Sequence, residues 1–246
     1  MIDTSPLERH ERAALLFSGG KDSLAVAHLL RPFWDRITLY HVDAGDLLPE
    51  VRAVVDEVAA LVPRFERIRT DSAAWTRRIA EPSDLIPMTA SAIGVIVGGR
   101  PLVDRYTCCW HNIMKPAHDR VLADGIGLVI RGTKRCDTKR MAAESGDTSM
   151  GFELWQPIQE WSHDDVFAWL RRIGVPVSPL YEHRINAPEC ATCPAWWDEG
   201  RARYLKARHP GLFATYSVRL RRVAAEIAPV CRTLAHELAG LEQADG

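Results

Sequence analysis

Three groups of residues in this sequence have the types and spacing that chemistry needs. The first is Ser18-Gly19-Gly20-Lys21-Asp22-Ser23. Glycines let a backbone approach an anion with no side chain in the way. The N–H groups that follow, and the start of a helix after them, supply partial positive charge. Lys21 adds a full charge, and Ser18 and Ser23 add hydroxyl donors. Two glycines alone would equally serve a tight turn, but Lys-Asp-Ser after them points to a phosphate loop. The second group is the basic stretch Arg131-Gly132-Thr133-Lys134-Arg135-Cys136, which runs on to Arg140. Lys134, Arg135 and Arg140 offer charge-assisted hydrogen bonds to phosphate or sulfate; the alternative is a solvated basic loop. The third group is the cysteines. Cys108 and Cys109 are adjacent, Cys190 and Cys193 form a C-x-x-C, and Cys136 and Cys231 stand apart. In a reducing compartment such pairs suggest metal or redox chemistry rather than disulfides.

The elements that must position these groups alternate. Ala13 to Phe17 is an apolar run suited to a strand buried on both faces, and the phosphate loop follows it directly. Leu24, Val26, Ala27 and Leu30 then repeat at helical spacing and stop before Pro32. Ile37 to Val42 and Phe65 to Ile68 read as further strands, with a helix from Leu47 to Leu61 between them. Gly127 to Ile130 is another strand, reached through a helix over Met114 to Leu122, and the basic loop comes next. The order predicts an α/β fold, a parallel sheet flanked by helices. Residues from Glu81 to Arg105 are rich in Pro and Gly and are expected to be irregular. Ser162 and Asp165 predict a capped helix start, and Gly174 with Pro176 marks its end. Gly211 to Leu241 is helical in pattern with arginines outside, a candidate nucleic-acid face or a solvated helix surface.

The hexapeptide Ser18 to Ser23 resembles the loop of the ATP pyrophosphatases in the adenine-nucleotide α-hydrolase superfamily, a Rossmann-like fold. That resemblance implies ATP with Mg2+ as cofactors and cleavage between the α and β phosphates. It also implies an acidic residue near ribose or magnesium at the end of the second strand. Asp43 fits that place, with helix capping as its alternative. Three more segments are similar to the phosphoadenylyl-sulfate reductase branch. One is the loop from Arg131, whose Gly132, Lys134, Arg135 and Arg140 would hold the anionic end of the nucleotide. The next is Trp155-Gln156-Pro157-Ile158 with Trp161-Ser162-His163-Asp164-Asp165, structural in that branch, so Trp155 and Trp161 are expected in the core. The last is the cysteine set. In reductases acting on adenylyl sulfate such a set holds a [4Fe-4S] cluster, which makes Cys108, Cys109, Cys190 and Cys193 the expected ligands. Zinc or unligated thiols are the alternatives.

The chain departs from those reductases at two points. It keeps Lys21 and Asp22, as an ATP-cleaving enzyme would, and it lacks their Glu-Cys-Gly-x-His tail. Cys231, in Ala228-Pro229-Val230-Cys231-Arg232, is expected to be a buried helix residue. The reading that fits is an ATP-using enzyme of sulfur transfer or insertion, with sulfonucleotide reduction or non-catalytic nucleotide sensing as alternatives. Lys21, Ser23, Lys134, Arg135 and Cys136 are its candidate catalytic residues, Cys136 as a sulfur carrier or a plain loop cysteine. The resemblance implies an adenine nucleotide and a sulfur-donor protein or thioredoxin-like reductant as partners. It leaves open a nucleic acid as sulfur acceptor and a homodimer. The net charge of −1 gives no broad electrostatic footprint, and no apolar stretch suits a membrane. A cytoplasmic protein is expected. Residues 1–185 are expected to form the nucleotide domain, and 186–246 a cysteine-containing helical extension.

Overall fold

The computed structural model describes residues 2–94, 101–138, 141–183, 190–195, 197 and 200–244. In chain order its main elements are α1 (Ser5–Arg9), β1 (Ala13–Leu16), α2 (Lys21–Leu29), β2 (Ile37–Asp43), α3 (Pro49–Leu61) and β3 (Phe65–Arg69). Then come α4 (Ser72–Arg78), β4 (Glu81–Ser83), β5 (Leu102–Asp104), α5 (Arg105–Cys109), α6 (Lys115–Ala123) and β6 (Leu128–Ile130). Last are β7 (Glu153–Trp155), α7 (His163–Arg172), α8 (Arg201–Arg208) and α9 (Pro210–Ala244).

The main sheet is parallel throughout, with strand order β3-β2-β1-β6-β7. Ala13 of β1 stands opposite both Ile37 of β2 and Leu128 of β6, so β1 lies at the centre. Its short apolar run is buried because the sheet is covered on both faces by helices. Leu15, Leu39, Leu128 and Ile130 are all fully buried. β3 is an edge strand: it places Glu66 and Arg67 between Phe65 and Ile68 and is half-buried. The chain winds outward from β1 through β2 to β3, then returns to β6 on the other side of β1. The order therefore reverses between β1 and β6. In open parallel sheets the loops at the carboxyl ends of two such strands diverge and leave a crevice for ligand.

The expected domain boundary takes a different form. The chain divides into one compact unit of residues 1–70 and 113–189 and a second of 71–112 and 190–246. The cysteine-containing C-terminal part thus packs with an internal segment, where the sequence predicts a continuous extension. Within the second unit β4 and β5 form a two-stranded parallel sheet, and Ala90, Leu102, Val223 and Ile227 pack as its core. Part of the stretch expected to be irregular is therefore ordered against α9. Trp155 is core as expected, whereas Trp161 is only half-buried. Cys231 lies on α9 but is exposed, contrary to expectation, because residues 229–241 are all solvent-facing. Among the described residues no helix is long and apolar enough to cross a membrane.

Candidate functional site

The phosphate loop leaves β1 at the reversal point and enters α2, as its sequence requires. Gly19 has φ +81°, a conformation that disfavours any side chain, and a Cβ there would meet Val55 at 2.6 Å. Gly20 caps α2, and the Ser23 hydroxyl donates back to the Gly20 carbonyl at 3.0 Å. Ser18 and Ser23 hydroxyls lie 3.2 Å apart, and Gly20 N–H donates to Ser18 Oγ at 3.3 Å. The loop after β6 approaches from the other side. A Cβ on Gly132 would lie 2.8 Å from the Asp22 carbonyl carbon, so the lack of a side chain is what lets the two loops touch.

Four charges join these loops. Asp22 accepts from Lys21 Nζ at 2.9 Å through one oxygen and from Lys134 Nζ at 2.7 Å through the other. Lys134 also donates to both oxygens of Asp137, at 2.9 and 3.2 Å. The two ammonium-bearing side chains are 1% and 0% exposed, while Asp22 and Asp137 keep about a quarter of their surface. Lys21 also lies over the rings of Tyr181 and Phe167, at 5.5 and 5.8 Å. Burial pulls the Lys21 pKa down, against the pull of Asp22, and Lys134 nearby adds to the drop. Burial opposes the Lys134 charge as well, but Asp22 and Asp137 outweigh it and its pKa is raised. The backbone N–H of Lys21, in the first turn of α2, donates to the Tyr181 hydroxyl at 2.7 Å. A helix start needs such an acceptor, and an anion would serve equally.

Not every expected residue joins this group. Arg135 turns away: its guanidinium pairs with Glu144 at 2.7 Å and with Glu160 at 2.8 Å, which neutralise it at the surface. Asp43 ends β2 as expected, but its carboxylate pairs with Arg52 at 2.9 Å and accepts the Gly45 N–H. Burial raises the Asp43 pKa, yet Arg52 and that N–H hold it below the usual carboxylate range. Arg140 lies outside the described residues. Cys136 is exposed, and its thiol donates to the Trp161 carbonyl at 3.4 Å. Three participants were not singled out by sequence reasoning: Asp137, Tyr181 and His163. Asp137 and His163 lie within segments named above and Tyr181 beyond them, and only the fold reveals which side chains face the loop.

The expected metal ligands gather elsewhere. Cys108, Cys109, Cys190 and Cys193 all belong to the second compact unit. The Cys108 thiol is pushed up to about 11, first by burial and then by the neighbouring Cys193, while Arg219 and Asn112 act in the opposite sense. Asn112 Nδ2 lies 3.7 Å from Cys108 Sγ, and Arg201 donates to the Cys193 carbonyl. Arg219 is held in turn by Glu81 and Thr192, both at 3.0 Å. Sulfur-directed donors and nearby cations are what thiolates bound to a metal group require. Among the described residues, the trio whose ligand atoms all lie within 4.8 Å of one another is Cys136, Asp137 and His163, with no such trio from the paired cysteines.

A cleft of about 480 Å³ elsewhere in the first unit is lined by Asp3, Arg9, Glu153, Trp155, Glu160 and Trp161 among others. Three carboxylates against one arginine make it unsuited to a polyanion, so the phosphate loop is the better nucleotide site despite that volume.

Known proteins resemble this chain in sequence and in fold. Residues 12–82 match the phosphoadenosine phosphosulfate reductase domain. An adenosine 5′-phosphosulfate reductase of Burkholderia cepacia is 23% identical over 210 residues, 79% of this chain and 79% of that one. A protein of the same name from Allochromatium vinosum is 24% identical over 176 residues, 71% of this chain and 64% of its own length. The crystal structure of phosphoadenylyl-sulfate reductase from Candida auris, a phosphate complex, superposes with TM-score 0.50 at 14% identity. It covers 70% of this chain and 77% of that one, and establishes likeness of fold.

Proposed function

The chain belongs to the phosphoadenosine phosphosulfate reductase family of the adenine-nucleotide α-hydrolase superfamily, and from that premise we propose that it is an ATP-cleaving enzyme of sulfur transfer. ATP with Mg2+ binds at the reversal point between β1 and β6, and cleavage of its α–β bond adenylylates an acceptor. The observation that carries this reading is the pair of buried ammonium groups, Lys21 and Lys134, bridged by the Asp22 carboxylate, with Asp137 also on Lys134. Two cations and a helix start suit the triphosphate of ATP, which carries more negative charge than the phosphate–sulfate anhydride of a sulfonucleotide. On binding, phosphate oxygens replace Tyr181 at the Lys21 N–H and take over part of the role of Asp22. The lysines then stabilise charge as the pyrophosphate leaves.

Cys108, Cys109, Cys190 and Cys193 fit a [4Fe-4S] cluster, which supplies redox-active or electrostatic chemistry when bound. Zinc on the same four thiolates is the alternative, and the metal content of the purified protein distinguishes the two.

The experiment is to purify the protein without air and assay ATP and adenylyl sulfate side by side. Pyrophosphate from ATP, lost in Lys21→Ala by at least about a hundredfold, is the expected result. The similarity to the Burkholderia cepacia reductase favours a second reading, thiol-dependent reduction of a sulfonucleotide. Sulfite from adenylyl sulfate with thioredoxin, and no pyrophosphate from ATP, would establish that second reading in place of the first.

A further inference from the structure

His163 opens α7, immediately after the capping residue Ser162 and beside the basic loop. One of its ring nitrogens, the Cys136 sulfur and an Asp137 oxygen lie within 4.8 Å of one another. The His163 Nδ1 atom is buried without a hydrogen-bond partner, and Nε2 is 3.9 Å from Asp137 Oδ1. A buried imidazole nitrogen with nothing to bond is costly unless a proton donor visits it. Three ligating atoms so close also suggest a cation. However, both Asp137 oxygens already receive the Lys134 ammonium, which would repel a metal ion. What remains is a base and a thiol, whose S–H donates to the Trp161 carbonyl at 3.4 Å and must turn from it to reach His163.

We propose that Cys136 is a reactive thiol whose proton passes to His163, and that it carries sulfur for the reaction at the phosphate loop. The inference rests on the sulfur-transfer reading above and identifies its nucleophile. The charged groups acting on His163 are Lys21 and Asp22 from α2 and Lys134 and Asp137 from the basic loop. Burial, then Lys21 and Lys134, hold the His163 pKa below its usual value, so it is neutral and able to accept a proton at neutral pH. The chemistry balances without an oxidant. Cys136 gives its proton to His163, and the thiolate attacks the outer sulfur of a donor persulfide, R–S–S–H. The S–S bond breaks, R–S⁻ leaves and takes the proton from His163, and Cys136 retains the outer sulfur as a persulfide. The fold thus gives the chain a thiol next to the loop that carries Lys134 and Asp137.

Cys231, exposed on α9, is an internal reference in the same molecule. Competitive alkylation with iodoacetamide, read by peptide mass spectrometry at neutral pH, should label Cys136 several-fold faster than Cys231, because a base beside the thiol assists its reaction. His163→Asn should bring the ratio back toward one, and His163→Gln serves if the first variant does not fold. Glutathione persulfide should add one sulfur atom to Cys136 and none to Cys231. Equal labelling of the two cysteines in the wild-type protein, or a ratio unmoved by His163→Asn, overturns the base–thiol pair. A reactive Cys136 that takes no sulfur overturns its role as carrier. Neither measurement needs a nucleotide, so these failures are separable from a failure to release pyrophosphate from ATP.

Discussion

At the residue scale the site depends on one carboxylate. Asp22 is the shared counter-ion of Lys21 and Lys134, and each of those side chains has almost no contact with water. Buried ion pairs are weak sources of stability, but removing one partner leaves an uncompensated charge. Asp22→Asn should therefore destabilise the protein by about 3 kcal/mol, the low end for such a loss because water reaches Asp22 on one side. Urea denaturation measures it, and a change below about 1 kcal/mol would show that Asp137 and solvent suffice to hold the lysines. Lys21 and Lys134 were legible in the sequence because glycine-flanked lysines after strands have few other uses. The fate of Arg135 was not. Its partners, Glu144 and Glu160, are 9 and 25 residues away, and only the turn that brings them back makes that guanidinium a surface ion pair. His163 was hidden for the opposite reason: its neighbours in sequence mark a helix start so clearly that nothing in the pattern marks it as a base.

At the element scale the strands that carry the loops were the most readable parts. β1, β2 and β6 are apolar runs between turn residues, and burial on both faces demands that pattern. β7 escaped notice because three residues, with Glu153 pairing to Arg9 and His10, leave no periodicity to detect. β4 and β5 were obscured by prolines, since each strand is brief and supported from outside by α9. The start of α7 was read correctly in detail. Ser162 Oγ accepts the Asp165 N–H at 3.1 Å, and the Asp165 carboxylate accepts the Ser162 N–H at 2.8 Å. Ser162→Ala should cost about 1 kcal/mol. Because that cap also fixes His163, the same variant should slow labelling of Cys136 relative to Cys231. Thermal unfolding and the alkylation ratio measure the two effects, and a full stability loss with an unchanged ratio would mean the cap does not position the imidazole.

At the scale of the whole molecule, the chemistry is divided between the two compact units. Every expected nucleotide residue that is described lies in the first, and all four paired cysteines lie in the second. The sequence pointed to both sets but not to their grouping, because Cys108 and Cys109 precede β6 in the chain yet belong with Cys190 and Cys193. Only long-range packing of α9 on β4 and β5 shows this. That division makes a prediction about the metal group. Cys108 is buried, receives Asn112, and has its thiol pKa pushed up to about 11 by burial and by Cys193. A thiol so reluctant to ionise stays protonated at neutral pH unless a metal group is there to bind its thiolate. Cys108→Ser should therefore abolish bound iron, acid-labile sulfide and the visible absorbance band of the anaerobically purified protein. Its nucleotide affinity should stay within about threefold of wild type, since the lysines and glycines that hold phosphate are untouched. Retention of iron in that variant would remove Cys108 from the ligand set. Stoichiometric zinc in place of iron in the wild-type protein would overturn the cluster assignment and leave the nucleotide site as it stands.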